Sequence, residues 1–228
     1  MHFLERFGFV GLNVTSPHKQ AILTYAQDVD GEVRQLEAAN TLMFTKNGWK
    51  AYNTDGYGFG RQLDICGIDP SDKSILIFGG GGAAKAVVKA CLERGVRKLT
   101  VVNRTETRIA EIRALFPDMI INYSPFEKLN DCYLFDILIN AASVDWSNRI
   151  WRDRFWAGRE DLFSPSVVID LQYMPRITPF MSLFHSPEKY NGFIMLVEQA
   201  AQAFGIWHGS KPDYSVDELE RVAYAPAL

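Results

Sequence analysis

The run GGGGAA at positions 79–84 constrains this chain more than any other stretch. It follows the apolar segment 73–78 (KSILIF). It precedes a stretch where Ala84, Val87, Val88 and Cys91 recur at i, i+3, i+4 and i+7, the spacing of one buried helix face. Strand, glycine turn and helix in that order fit the pattern G-x-G-x-x-A. Gly79 permits the tight turn, Gly81 lets the backbone approach a pyrophosphate, and Ala84 keeps the helix close to the sheet. Gly80, Gly82 and Ala83 complete the turn, and the N–H groups at the helix start face an anion. A plain glycine-rich loop would carry the same letters; the placement between strand and helix favours the dinucleotide reading.

The segment after this turn repeats the same alternation. Residues 98–102 (KLTVV) read as a buried strand and 106–116 as a helix, with Gly95 placed to stop the helix before them. Further strands are expected at 119–122, 135–140 and 167–171. Short apolar strands alternating with helices predict an α/β fold, a Rossmann-type doubly wound parallel sheet covered on both faces. Upstream, residues 9–14 read as a strand, 17–26 as a helix, and 39–44 with 49–52 as a strand pair joined at Asn47-Gly48. A helix is expected from 57 to 66, an amphipathic one from 192 to 207, and a last short one opened by Ser215 and Glu218 as a capping box. The stretch 146–159 reads as a loop. Residues 56–190 are thus expected to form the dinucleotide domain, and residues 1–55 with 191–228 a smaller α/β domain.

The second strand of the dinucleotide domain selects the cofactor. An NAD site places an acid about 20 residues beyond the glycine turn, on the ribose 2′-hydroxyl. Here the strand ends in Asn103, Arg104 and Thr105 with no acid at its tip. A carboxylate there would repel a 2′-phosphate, whereas a guanidinium binds it through two hydrogen bonds. Arg104 therefore points to NADP, the alternative being a surface arginine paired with Glu106.

Composition removes several other classes. A formal net charge of −3 gives no basic face for nucleic acid or a membrane surface. The four histidines form no ligand pair, and the three cysteines, Cys66, Cys91 and Cys132, have neither zinc nor disulfide spacing. No metal is expected, and free thiols suit a reducing cytoplasm. No apolar stretch approaches the ~18 residues of a membrane span, and the first residues do not read as a signal peptide.

Outside the dinucleotide domain, polar groups gather at strand ends: Asn13, Thr15 and Lys19, then Asn40 and Thr41, then Asn53, Thr54 and Asp55. Small amides and hydroxyls beside one lysine and one aspartate suit a polyhydroxylated ligand. Each also has a plainer use, since Thr54 or Asp55 could cap the next helix and Lys19 could be solvated.

At these residues the chain resembles the shikimate dehydrogenase family. Residues 11–19 (GLNVTSPHK) resemble its N-V-T-x-P-x-K, 38–42 (AANTL) its A-x-N-T-L, and 52–56 (YNTDG) its x-N-T-D-G. The resemblance continues through 79–84, 103–105, 136–141, 170–179 and 192–200, in order along essentially the whole chain. It implies hydride transfer between shikimate, or a related polyol acid, and NADP. Lys19 would shuttle the proton of the reacting hydroxyl and Asp55 would orient it. Thr15, Asn40 and Gln199 would bind ring hydroxyls, with Asn13 in support. Tyr173 would lie on the substrate side, and Asn140 and Gly192 in the cofactor-contacting segments.

The resemblance also marks departures. The family carries, before N-V-T-x-P-x-K, a first strand, helix and second strand with an S-x-S turn for the substrate carboxylate; here twelve residues precede Asn13 and no S-x-S occurs among them. The expectation is that the carboxylate clamp is absent, and that another chain, an oligomer such as a homodimer, or a longer natural start covers the exposed edge. A catalytically impaired NADP-binding paralogue acting as regulator or partner subunit is the alternative function. Near the cofactor, Val144-Asp145 replace the family's G-M, and Ala142 stands where threonine is common.

Overall fold

The computed structural model describes residues 4, 6–117, 121–125 (backbone), 135–150 and 164–225. Cys132, the start of the strand expected at 119–122 and most of the loop expected at 146–159 lie outside the described residues. The chain forms two compact units, Met1–Gln62 with Ile194–Leu228 and Leu63–Phe193.

The first unit holds a four-stranded mixed sheet in the order β1-β3-β4-β2. Its strands are β1 (Gly11–Asn13), β2 (Asp28–Val29), β3 (Thr41–Thr45) and β4 (Gly48–Tyr52). The hairpin expected at Asn47-Gly48 is present: β3 and β4 pair antiparallel from Thr41↔Tyr52 to Thr45↔Gly48. Gly48 takes φ +99, the positive region that such tight hairpins use. Trp49, Leu42, Ala51, Val33 and Val14 fill the core beside this sheet. A short helix α1 (Gly31–Leu36), which sequence patterning did not suggest, is capped by the Asp30 carboxylate accepting from Val33 N–H.

The helix expected at 17–26 is only a 3-10 segment, Ala21–Tyr25. His18 N–H closes a turn onto Thr15 O, and no side chain caps the 3-10 segment at Gln20. Too few residues then remain before β2 to propagate an α-helix.

Two longer helices complete the unit. Helix α2 (Asp55–Ile65) and the Ile194 onward part of a helix spanning Phe193–His208 approach closely at Gly58, where a Cβ would stand 2.7 Å from Met195 O. This packing keeps the first turns of α2 with the first unit, so the units change over at 62/63 and 193/194 rather than at the expected 55/56 and 190/191. Trp207 Nε1 donates to Leu42 O at 2.9 Å and ties the helix end to the sheet. The last helix, Val216–Ala223, opens on the expected Ser215 cap.

The second unit is a six-stranded sheet, with strands β5 (Ser74–Phe78), β6 (Lys98–Asn103), β7 (Ile121–Pro125), β8 (Ile137–Asn140), β9 (Val167–Asp170) and β10 (Glu188–Asn191). Every pairing is parallel, in the order β10-β9-β8-β5-β6-β7. Counted from β5, this is the doubly wound order 3-2-1-4-5-6, with its switch point beside the end of β5. The expected α/β architecture is borne out. Helices α3 (Gly82–Glu93) and α4 (Glu106–Leu115) follow β5 and β6. Ala84, Val87, Val88 and Cys91 are all fully buried, as their spacing predicts. Trp146, Phe78, Phe180 and Phe184 form an aromatic core with centroids 5.2–6.0 Å apart.

Candidate active site

In the first unit the ends of β3 and β4 deliver the polar residues to one place. Asn40 precedes β3, and Asn53 and Thr54 follow β4, immediately ahead of α2. Asn53 locks this corner: its amide donates to Ala38 O at 2.8 Å and its carbonyl accepts from Asp55 N–H at 3.0 Å. Asp55, 4% exposed, is therefore fixed at the start of α2. Lys19 Nζ donates to Asp55 Oδ2 at 2.5 Å, and Asn40 Nδ2 reaches Asp55 Oδ1 at 2.9 Å.

Asn40 is overcommitted. Its amide carries two hydrogens but faces three acceptors: Thr54 Oγ1 at 2.8 Å, Asp55 Oδ1 at 2.9 Å and Gln199 Oε1 at 3.1 Å. Its carbonyl is saturated by Thr54 N–H and the hydroxyls of Thr41 and Thr54. Thr54, which the sequence offered either as part of the polar cluster or as a helix cap, sits inside the network. Asn13 lies alongside, exposed, with Nδ2 3.4 Å from Asn40 O and from Thr41 Oγ1. Thr15 is exposed on the turn that precedes Lys19. Lys19, Asn40, Thr54, Asp55 and Gln199 converge; Asn13 and Thr15 flank them.

In the second unit the glycine turn sits at the switch point. Gly79 has φ +117, and a Cβ there would come within 2.8 Å of the Ala141 carbonyl. Gly80 is closed in by Arg108 Cβ at 2.8 Å and the Asn103 amide at 3.3 Å. Gly81 has open space where a Cβ would stand, and as N-cap of α3 it offers no capping side chain. The first-turn N–H groups at Gly82, Ala83 and Ala84 have no carbonyl one turn behind them within the helix. A tight turn, an open step and outward-facing helix-start donors fit a dinucleotide pyrophosphate. Beyond Asn103, whose Nδ2 donates to Thr105 O at 3.0 Å, Arg104 and Thr105 are exposed at the end of β6. Arg108, which the sequence did not single out, shares this wall; its spacing of four from Arg104 was the available signal.

Asn140 is fully buried and acts on shape. Its amide donates to Asp170 Oδ1 at 2.7 Å, and its carbonyl accepts from Ala142 N–H at 3.1 Å. Asp170 also accepts from Thr178 Oγ1 at 2.6 Å and Gln172 N–H at 3.0 Å. Burial pushes the Asp170 carboxyl above its usual range, against the lowering effect of these three donors. Gly192 packs against Leu171, where a Cβ would stand 2.1 Å from the carbonyl oxygen. Tyr173 is 41% exposed in the loop after β9. Among the described residues no group of acids, histidines and cysteines is arranged to hold a metal, and no helix is long and apolar enough to cross a membrane.

Three family models match consecutive parts of the chain: the shikimate dehydrogenase substrate binding domain over residues 1–42, shikimate / quinate 5-dehydrogenase over 64–186, and the shikimate 5'-dehydrogenase C-terminal domain over 192–218. The shikimate dehydrogenase (NADP(+)) of Paracoccus denitrificans is 36% identical over 97% of this chain and 79% of its own length. The crystal structure of shikimate 5-dehydrogenase from Thermus thermophilus in complex with NADP(H) and shikimate superposes with TM-score 0.76. It is 30% identical, over 96% of this chain and 80% of that one. Quinate dehydrogenase from Corynebacterium glutamicum in complex with NAD also gives TM-score 0.76, at 26% identity over 97% and 80% of the two chains.

Proposed function

The chain belongs to the shikimate dehydrogenase family, and from that premise we infer that it interconverts shikimate and 3-dehydroshikimate, or a closely related polyol acid, with NADP as cofactor. The observation that carries this is the Lys19–Asp55 pair, an ammonium and a carboxylate 2.5 Å apart inside a network of amides and hydroxyls.

NADP, when bound, supplies the hydride acceptor for the substrate carbon. Gly79 to Ala83 would hold its pyrophosphate and Asn103, Arg104 and Thr105 its 2′-phosphate, with Asn140 and Gly192 shaping the backbone of the neighbouring turns. The chain's own chemistry is proton transfer. As the C–H bond of the alcohol breaks, its oxygen must lose a proton, and Lys19 as the free amine takes it; in the reverse direction the Lys19 ammonium returns it to the forming hydroxyl. Asp55 holds Nζ in place and balances the charge that develops on it. Asn40 and Gln199 bind the remaining hydroxyls, with Thr15 and Asn13 at the rim. A substrate hydroxyl entering beside Asn40 would relieve its shortage of hydrogens by donating to one of its three acceptors. Tyr173 is a further candidate for substrate binding.

The intact pair favours an enzyme over the alternative of an impaired NADP-binding paralogue, because a protein that only bound cofactor would have no use for it. Quinate remains within the polyol acids that such a network recognises. Cys66 and Cys91 stand as thiols rather than in a disulfide, which suits a cytoplasmic location. The exposed Phe7, Phe9 and Val10 offer a surface for a homodimer, which sedimentation would test. The functional assay is formation of NADPH on addition of shikimate or quinate. Turnover with either supports the assignment, and binding of NADP without turnover on any polyol acid would overturn it.

A further inference from the structure

Lys85 is a charged side chain that the proposed chemistry does not use. It lies on the first turn of α3, directly behind the glycine turn, and is 0% exposed. Its Nζ is 3.1 Å from Glu111 Oε2 on α4, an ion pair by distance but without hydrogen-bond alignment. The same Glu111 carboxylate accepts from Arg108 Nη1 at 3.2 and 3.4 Å. Arg108 in turn packs on Gly80 and beside Asn103, on the wall that ends in Arg104.

The three charges have a definite balance. Glu111 by itself would cancel Arg108, because the two groups touch and a contact pair seen from a few ångströms away has no net charge. Lys85 supplies a second positive charge from beneath, so the three groups together sum to +1 beside the turn. A methionine at position 85 would fill the same space without that charge. A buried ammonium is unfavourable to hold in the core, and here its described ion-pair partner is an acid that also pairs with an arginine of the cofactor wall.

We propose that Lys85 is a specificity-determining positioning residue: by offsetting Glu111 it keeps the Arg104–Arg108 wall net positive, so that the chain prefers a 2′-phosphorylated adenine nucleotide to an unphosphorylated one. This rests on the assignment of NADP above. It deepens that assignment by making the preference depend on a residue that does not itself reach the surface.

The test is calorimetric binding of NADP, NAD, adenosine 2′,5′-bisphosphate and AMP to the wild type and to Lys85→Met, Glu111→Gln and the double variant; the two smaller ligands read the wall without turnover. In Lys85→Met, NADP and the bisphosphate are expected to weaken by about tenfold, with NAD and AMP changed by less than about twofold, the loss being largest at low salt. The double variant is expected to recover most of the preference. Glu111→Gln, which leaves the core lysine in place, is expected at or above the wild-type preference. Equal weakening of all four ligands in Lys85→Met would make the residue purely structural and overturn the proposal, as would an unchanged preference or a fall in Glu111→Gln. A wild type that binds AMP as well as the bisphosphate would instead remove the NADP assignment, and the proposal with it.

Discussion

Lys19 Nζ and Asp55 Oδ2 stand 2.5 Å apart although they lie 36 positions apart in the chain. The second oxygen of Asp55 is held by Asn40, so the carboxylate cannot turn away from the lysine. Replacing Asp55 by asparagine keeps the size and removes the charge that anchors Nζ. We predict a fall in kcat on the order of 10²-fold, within the range for a disturbed general acid–base group, with NADP affinity unchanged. A rise in KM alone, measured in steady-state assays, would place Asp55 in substrate binding only.

Arg104 lies at the tip of β6, where the 2′-phosphate of NADP is assigned. A charge-assisted hydrogen bond contributes about 1.5–3 kcal/mol. Arg104→Ala should therefore weaken NADP by at least about tenfold in titration calorimetry, with NAD affected little. Equal loss for both cofactors would contradict the assignment.

The glycines of the turn separate fold from function. At Gly79 a Cβ would collide with the Ala141 carbonyl, and φ is +117. Gly79→Ala should cost about 1–3 kcal/mol of stability or more and appear as a lowered melting temperature. Gly81→Ala meets nothing within 4 Å; it should melt close to the wild type and still bind NADP more weakly, because its methyl occupies the approach to the pyrophosphate. A large melting shift in Gly81→Ala would show that this glycine serves the fold instead.

Much of this was legible in the sequence because it is local. Ala84, Val87, Val88 and Cys91 share one helix face, and Asn47-Gly48 turns a hairpin; both follow from periodicity and turn chemistry alone. The Lys19–Asp55 pairing is not local, and only the family motifs pointed to it. Short elements escaped notice. Strand β10 reads as EKYN with little apolar content, and its place at the sheet edge comes from pairing with β9. The triad of Lys85, Glu111 and Arg108 was invisible as well, since a lysine inside a helical run reads as solvated until tertiary packing buries it.

Asp170 should leave a trace in the pH dependence of stability. Burial raises its carboxyl above the usual 3.8 in the folded protein, so the folded state holds that proton more tightly than the unfolded chain. The resulting stabilisation is complete below pH 3.8 and is lost as pH rises through the raised value. Asp170→Asn lacks this titration. The wild type is therefore expected to lose melting temperature relative to the variant as pH climbs from about 4 toward neutrality. A difference that stays constant over that range would contradict the assignment.

The most direct measurement is NADPH formation from NADP and shikimate, followed by absorbance, in the wild type and in Lys19→Ala, with cofactor binding checked on both. The expected result is turnover in the wild type, lowered by about 10²–10⁴-fold in Lys19→Ala, with the same NADP affinity in each. Undiminished turnover in Lys19→Ala, or a wild type that binds NADP and oxidises neither shikimate nor quinate, would contradict the account at its centre.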